Sequence, residues 1–173
     1  MCGAELHALP QGVQRVAGFL QAADHPHAPL MLDGAARTAQ EAADGLGVLL
    51  GQIAKSVIFK RQEDGVAVLV VTSGDRRVDE KKVSALVGKV GRADPDFVKA
   101  QTGFSIGGVS PVAHLNPPVT LLDQDLWRFE VVWAAAGHPH AVFPLAPEDL
   151  KRLTRAPVAD VAQTPPACPS ETP

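Results

Sequence analysis

The segment QIAKSVIFK (52–60), then the charged turn RQEDG (61–65), then VAVLVV (66–71), constrains the fold more than any other part of the chain. β-Branched and aromatic residues alternate with smaller or polar ones in the first run, and the second is continuously apolar. Together they predict an antiparallel hairpin, and so a sheet at the centre of the fold. Side chains on a strand alternate between faces, so Ile53, Lys55, Val57 and Phe59 share one face while Ala54, Ser56, Ile58 and Lys60 share the other. Lys55 thus sits in apolar company on the face expected to be buried. A buried ammonium costs several kcal/mol (about that order) unless it is paired or faces a polar cavity. Two readings stand: a lysine that snorkels to the rim of the sheet, or a cationic group lining a binding cavity.

The flanking sequence supplies helices first and strands later. Val13, Val16, Ala17 and Leu20 recur at helical spacing over 13–23, and DHPHAP then breaks the pattern. A short strand at Leu30–Leu32 leads to TAQEAADGLG, where Thr38 and Glu41 have capping-box spacing and Gly47 is a natural stop. VDEKKVSALVG reads as a helix entered at Asp79 and closed at Gly88. ADPDFVKAQTG is another, with Asp94 as N-cap, Pro95 in the first helical position and Gly103 past the end. Strands are expected around Phe104–Ile106 and over 119–123, 130–136 and 141–145. A short helix, PEDLKRLT, and a last strand, VADVA, follow. Regular βαβ alternation is absent, which favours an α+β fold with a mixed, mostly antiparallel sheet.

With 173 residues the chain suits one domain with a substantial core. The expected division is a flexible tail over 1–12, a folded domain over 13–161 and a disordered tail over 162–173, where AQTPPACPSETP lacks apolar periodicity. No apolar run approaches the roughly 20 residues of a membrane helix, and MCGAELHALP lacks the features of a secretory signal, so a cytoplasmic location without membrane contact is expected. The cysteines, Cys2 and Cys168, lie near the chain ends outside any ligand pattern, so neither a disulfide framework nor a zinc site is inferred. A net charge of −3 does not announce a nucleic-acid binder. A local patch, GDRRVDEKK, nevertheless gathers Arg76, Arg77, Lys81 and Lys82. It reads either as a solvated face with Asp75, Asp79 and Glu80 as counter-charges or as a phosphate-facing surface.

Two further stretches bear on chemistry. In GFSIGGVSPVAH (103–114), Gly107 and Gly108 interrupt a strand-like run and Ser110-Pro111 end it. Such glycines mark a structural bulge or a close backbone approach by a ligand. In AAAGHPHAVFPL (134–145), a turn between two apolar strands presents His138 and His140. They serve either as polar groups satisfied at a strand end or as site residues, and no carboxylate or cysteine stands near with metal-ligand spacing. The signatures of phosphate loops, dinucleotide folds and hydrolase elbows are absent from the sequence.

The ordered series QIAKSVIFK, LVVTSGDRRVDEKKV, VGRADPDFVKAQTGFSIGGVSPVAH and GHPHAVFPLAPEDLKRLT resembles the YbaK-like family of aminoacyl-tRNA editing domains. That family includes free-standing deacylases and the editing insertion of bacterial prolyl-tRNA synthetases. The resemblance spans about residues 13–161. It implies a β-barrel-like sheet flanked by helices and hydrolysis, in trans, of the ester joining a wrong amino acid to the tRNA 3′ end. The expected partners are the tRNA acceptor end and a prolyl-tRNA synthetase; neither cofactor nor metal is implied, and nothing in the pattern specifies an oligomeric state.

Carried over by position, the resemblance makes Lys55, Gly107 and Gly108 the catalytic candidates and His140 a substrate-binding one near the amino-acid pocket. Ser56 and Ser110 are further substrate-binding candidates, with Arg76, Arg77, Lys81 and Lys82 as tRNA-binding ones. Lys55 would then line the substrate cavity, where an ammonium can fix a phosphate or ribose oxygen. Water positioning and backbone donors to the oxyanion could suffice, because the aminoacyl ester is already activated. The expected substrate is tRNA-Pro bearing alanine, serine, threonine or cysteine. The cysteine-editing members carry an N-terminal tyrosine and lack the His140 counterpart, whereas this chain has no tyrosine at all, which counts against cysteine. A non-catalytic module that recruits tRNA or a synthetase is the alternative reading.

Overall fold

The computed structural model describes residues 9–32 and 38–163. The outer parts of both expected tails, 1–8 and 164–173, lie outside the described residues. Helix α1 (Gln11–Ala22) buries Val13, Val16, Ala17 and Leu20, the expected apolar stripe. Strand β1 (Leu30–Met31) follows, then α2 (Ala39–Leu46). The Thr38 hydroxyl caps α2 by accepting the Glu41 N–H at 3.1 Å, and Gly47 closes it in the left-handed conformation. The hairpin forms as expected from β2 (Ile53–Arg61) and β3 (Ala67–Ser73), in register from Ala54 opposite Ser73 to Lys60 opposite Ala67.

Helix α3 (Glu80–Val87) is capped by the Asp79 carboxylate, which accepts the Lys81 and Lys82 N–H groups. Helix α4 (Pro95–Thr102) is capped by Asp94, which accepts the Phe97 N–H at 2.7 Å, and Gly103 ends it. Between them β4 (Val90–Arg92) pairs with the far end of β2. Strands β5 (Val119–Asp123), β6 (Val132–Ala135) and β7 (Ala141–Leu145), helix α5 (Pro147–Thr154) and strand β8 (Val158–Ala159) complete the chain.

The strands make one mixed sheet in the order β1-β7-β6-β2-β3-β5-β8, with β4 on a branch from β2. Four pairs are antiparallel and three parallel. The path is open: no pairing joins β1 to β8 among the described residues. One face of the sheet nevertheless surrounds a common core, in which Ala54, Leu69, Val71, Leu122, Ala134 and Phe143 meet helix α1.

The structure departs from the sequence expectations in four places. Residues 104–106 form no strand, because left-handed Gly103 and Gly107 bracket them and Phe104 turns in as a core plug while Ile106 stays exposed. Strand β4 was not legible: it is three residues with a central glycine, too short for alternation to show. Strand β6 begins only at Val132, after a 3₁₀ turn over Gln124–Arg128. The folded region also reaches past 13–161 at both ends: α1 starts at Gln11, and buried Ala162 bridges to Val78.

Candidate active site

Lys55 does share a face with Ile53, Val57 and Phe59, but that face is not the one that carries the main core. It is covered in two separate patches. Ile53 packs with Ala42 and Ala43 of α2, while Phe59 and Val57 pack with Val83 of α3 and with Val68 and Val70. Lys55 falls in the interval between the two helices, half-buried. The backbone leaves a matching gap. Strand β2 pairs with β6 only at Ile53 and Ala54 and with β4 only from Phe59 to Arg61, so the edge from Lys55 to Ile58 has no strand partner among the described residues.

A cavity of about 140 Å³ lies at this gap. Lys55 and Ser56 line it from β2, Trp133 from β6, Ala141 from β7, Ala42 from α2, and Gly107 from the loop that follows α4. Its walls are mostly small and apolar. Two polar features stand out against them. The Ser56 hydroxyl is buried with no hydrogen-bond partner. The Gly107 N–H has no protein acceptor among the described residues either. Buried polar groups are normally paired, so the Ser56 hydroxyl is an unsatisfied group in the cavity wall, whereas Gly107 is exposed and its N–H is open to solvent or a ligand.

Burial lowers the Lys55 ammonium below the ordinary lysine value, the nearby Arg77 cation lowers it further, and the Asp75 carboxylate opposes them. Asp75 is itself held by Arg128 in a two-pronged contact (2.9 and 3.2 Å) and by Arg76 at 3.3 Å, and these cations keep its carboxyl below the usual range against the effect of burial. Its charge is therefore already shared. Opposite Lys55 on β3, the buried Thr72 hydroxyl also lacks a partner among the described residues. The ammonium is thus set without an ion-pair partner of its own among the described residues, a state that an incoming anionic or polar group would relieve.

The two glycines serve different ends. Gly107 adopts φ +94°, and a side chain there would project into open space toward Pro139. Gly108 is buried against the His138 backbone, which an added Cβ would meet at 2.8–3.0 Å, and its N–H is spent on the Ser105 carbonyl. Ser110 stands behind the loop: it is fully buried, and its hydroxyl accepts the Val112 N–H at 3.2 Å. The loop is fastened by Arg15 of α1, which donates to the Thr102 and Ala113 carbonyls at 2.8 Å each and lies over the Phe104 ring at 4.3 Å. Nothing in the spacing of helix α1 signals this, because a polar residue on an amphipathic helix reads as solvent-facing.

His114 braces the other end of the loop. It donates from Nε2 to the Ser110 carbonyl at 2.6 Å and sits edge-on to Phe104. Burial lowers its pKa, the Ser110 bond opposes this, and Arg15 adds to the lowering. A depressed folded-state pKa means that the unfolded chain binds the proton first. Stability from this group is complete above the ordinary histidine value near 6.5 and is lost as pH falls toward and through the folded value. Thermal melts between pH 7.5 and 5 are expected to show a destabilisation that is smaller in His114→Gln; equal pH dependence in both proteins would refute the assignment.

His140 does not line the cavity, although its neighbours Pro139 and Ala141 do. Its ring lies edge-on to that of His138 at 5.3 Å, and its backbone N–H donates to His138 Nδ1 at 3.1 Å. The expected basic patch is also partly consumed. Arg76 pairs with Asp125 and Asp75, and Lys82 with Asp160, leaving Arg77 and Lys81 as its exposed members without ion pairs among the described residues. The structure thus brings together Lys55, Ser56 and Gly107, sets Gly108 and Ser110 behind them, and adds Trp133, Pro139 and helix α2, which sequence reasoning did not single out. Among the described residues no group of three His, Cys, Asp or Glu side chains could hold a metal, and no helix is long and apolar enough to cross a membrane.

The fold of this sheet and its helices is that of a known class. The model for the aminoacyl-tRNA editing domain matches residues 33–153, and the chain belongs to that family. The uncharacterized protein YwhH of Bacillus subtilis (strain 168) is 37% identical over 118 residues, covering 68% of this chain and 74% of YwhH. The proline–tRNA ligase of Thermoanaerobacter sp. (strain X514) is 28% identical over 94 residues, covering 52% of this chain but 16% of the ligase. A solved structure described as a proposed trans-editing enzyme for prolyl-tRNA synthetase superposes with a TM-score of 0.85 at 41% identity, covering 91% of this chain and all of that one.

Proposed function

We propose that this chain hydrolyses the ester of a mischarged aminoacyl-tRNA, acting in trans on tRNA-Pro bearing a small amino acid. The observation that carries the reading is that Lys55, Ser56 and Gly107 line one small, mainly apolar cavity, and that the Gly107 N–H has no acceptor among the described residues. In this reading Lys55 holds a ribose or phosphate oxygen at the 3′ end, and the amino-acid side chain enters the cavity. Water attacks the ester carbonyl; the developing oxyanion is met by the Gly107 amide, and the ribose hydroxyl leaves with the proton that water supplies. A donor aimed at the oxyanion is worth about 10²–10³-fold in rate where water is excluded.

The cavity volume favours small residues such as alanine and serine over larger ones. The relation to prolyl-tRNA ligases and to the proposed trans-editing structure supports tRNA-Pro as the carrier.

Incubation with tRNA-Pro and tRNA-Ala, each charged with alanine, serine, threonine, cysteine or proline, is expected to release alanine and serine fastest from tRNA-Pro and to spare proline. Tight tRNA binding without ester loss on any member of the panel would favour the non-catalytic module instead.

A further inference from the structure

A second cavity, of about 250 Å³, lies directly behind the glycine loop. Lys99, Arg15, Ser105, Gly108, His138 and Pro139 line it, and helix α1 begins in its wall at Gln11 and Gly12. Pro139 lines both cavities, and the consecutive glycines divide between them, Gly107 facing the Lys55 side and Gly108 the other. The Gly107–Gly108 backbone and Pro139 thus form a wall between the two.

The charges of this second cavity are unbalanced. No carboxylate lines it, and neither Arg15 nor Lys99 has an acidic partner among the described residues. Among the described residues Lys99 Nζ reaches only the Gly103 carbonyl, at 3.3 Å. Arg15 spends Nε and Nη2 on carbonyls and keeps Nη1 unpaired among the described residues. Arg76 and Lys82, tRNA-binding candidates from the sequence, are by contrast neutralised within the protein. The positive end of the α1 dipole adds to the same field.

We propose that this cavity is an anion subsite that binds a backbone phosphate of the strand whose 3′-terminal ester enters the Lys55 cavity, with Lys99 and Arg15 as its cationic ligands. The assignment rests on the editing reading above, since that reading supplies a polyanionic strand ending next door. A phosphodiester one nucleotide back from the ester would lie across the partition formed by Gly107, Gly108 and Pro139. The second cavity then sets the register of the strand and leaves amino-acid choice to the first.

The test compares alanyl esters of two acceptors, adenosine without phosphate and the trinucleotide CCA, in wild type, Lys99→Met and Lys99→Arg. Lys99 is exposed, so neither variant is expected to lose the fold. For the trinucleotide ester, Lys99→Met is expected to lower kcat/KM about threefold to tenfold and to flatten its salt dependence by close to one phosphate contact, with rescue by Lys99→Arg. Hydrolysis of the adenosine ester is expected to be unchanged. Binding of uncharged CCA, measured by calorimetry at low salt, is expected to weaken in parallel. Wild-type values for Lys99→Met on CCA binding and on its ester would overturn the subsite and leave the editing reading standing. Failure of the wild-type protein to hydrolyse either ester would overturn the editing reading and the subsite with it.

Discussion

Lys55→Ala is expected to lower kcat/KM for ester hydrolysis by about 10²-fold or more, the scale of losing a charged donor to a developing or resident anion in a water-excluded site. The melting temperature is expected to hold or to rise. Lys55 lies in the interval between the α2 and α3 patches, half-buried and with no ion-pair partner of its own, so its removal relieves a desolvation cost and leaves no orphaned counter-charge. The same lowered pKa predicts the pH behaviour. The ammonium form is fully present at low pH and is lost as pH rises through the folded value, which is below that of an ordinary lysine. The enzymatic rate, corrected for spontaneous ester hydrolysis, should therefore decline at alkaline pH earlier than an exposed lysine would dictate, and Lys55→Arg should shift that decline upward. Wild-type turnover by a folded Lys55→Ala protein would remove Lys55 from the site.

The reason Lys55 could be found in the sequence is also the reason its setting could not. Strand parity is local, so the alternation through Ile53, Val57 and Phe59 is enough to place an ammonium on an apolar face. Which face carries the main core depends on where helices land, and that is non-local. The sheet buries both faces, and Ala54 and Ile58 turn out to point into the larger core. Helix caps were legible for the same local reason: Thr38, Asp79 and Asp94 each satisfy an N–H within three residues. The Arg15 contacts with Thr102 and Ala113 span 87 and 98 residues, and no window of sequence contains both ends. Likewise the local counter-charges of the basic patch were not legible, because Asp125 and Asp160, which pair with Arg76 and Lys82, lie 49 and 78 residues away.

The glycine pair gives the second large effect, and it separates two roles that adjacent identical residues hide. Gly108→Val is expected to destabilise the protein by about 1–3 kcal/mol, the usual cost of overpacking, because its side chain would overlap the His138 backbone, which has no rotamer to yield. Activity should fall with it, since the displaced loop carries Gly107 and the turn carries Pro139, both of them cavity walls. At Gly107 the balance reverses. Gly107→Ala meets open space, so its cost to the fold is the left-handed backbone alone, about 1–2 kcal/mol at φ +94°. Its methyl group enters the volume that the ester is proposed to occupy, beside the one loop amide aimed at the oxyanion, and a loss of at least about tenfold in kcat/KM beyond any stability change is expected. Thermal melts read beside single-turnover hydrolysis decide the matter. A Gly108→Val protein with wild-type melting and lost activity would place substrate, not His138, against Gly108. A Gly107→Ala protein with full activity would show that the ester does not occupy the space beside the Gly107 Cα.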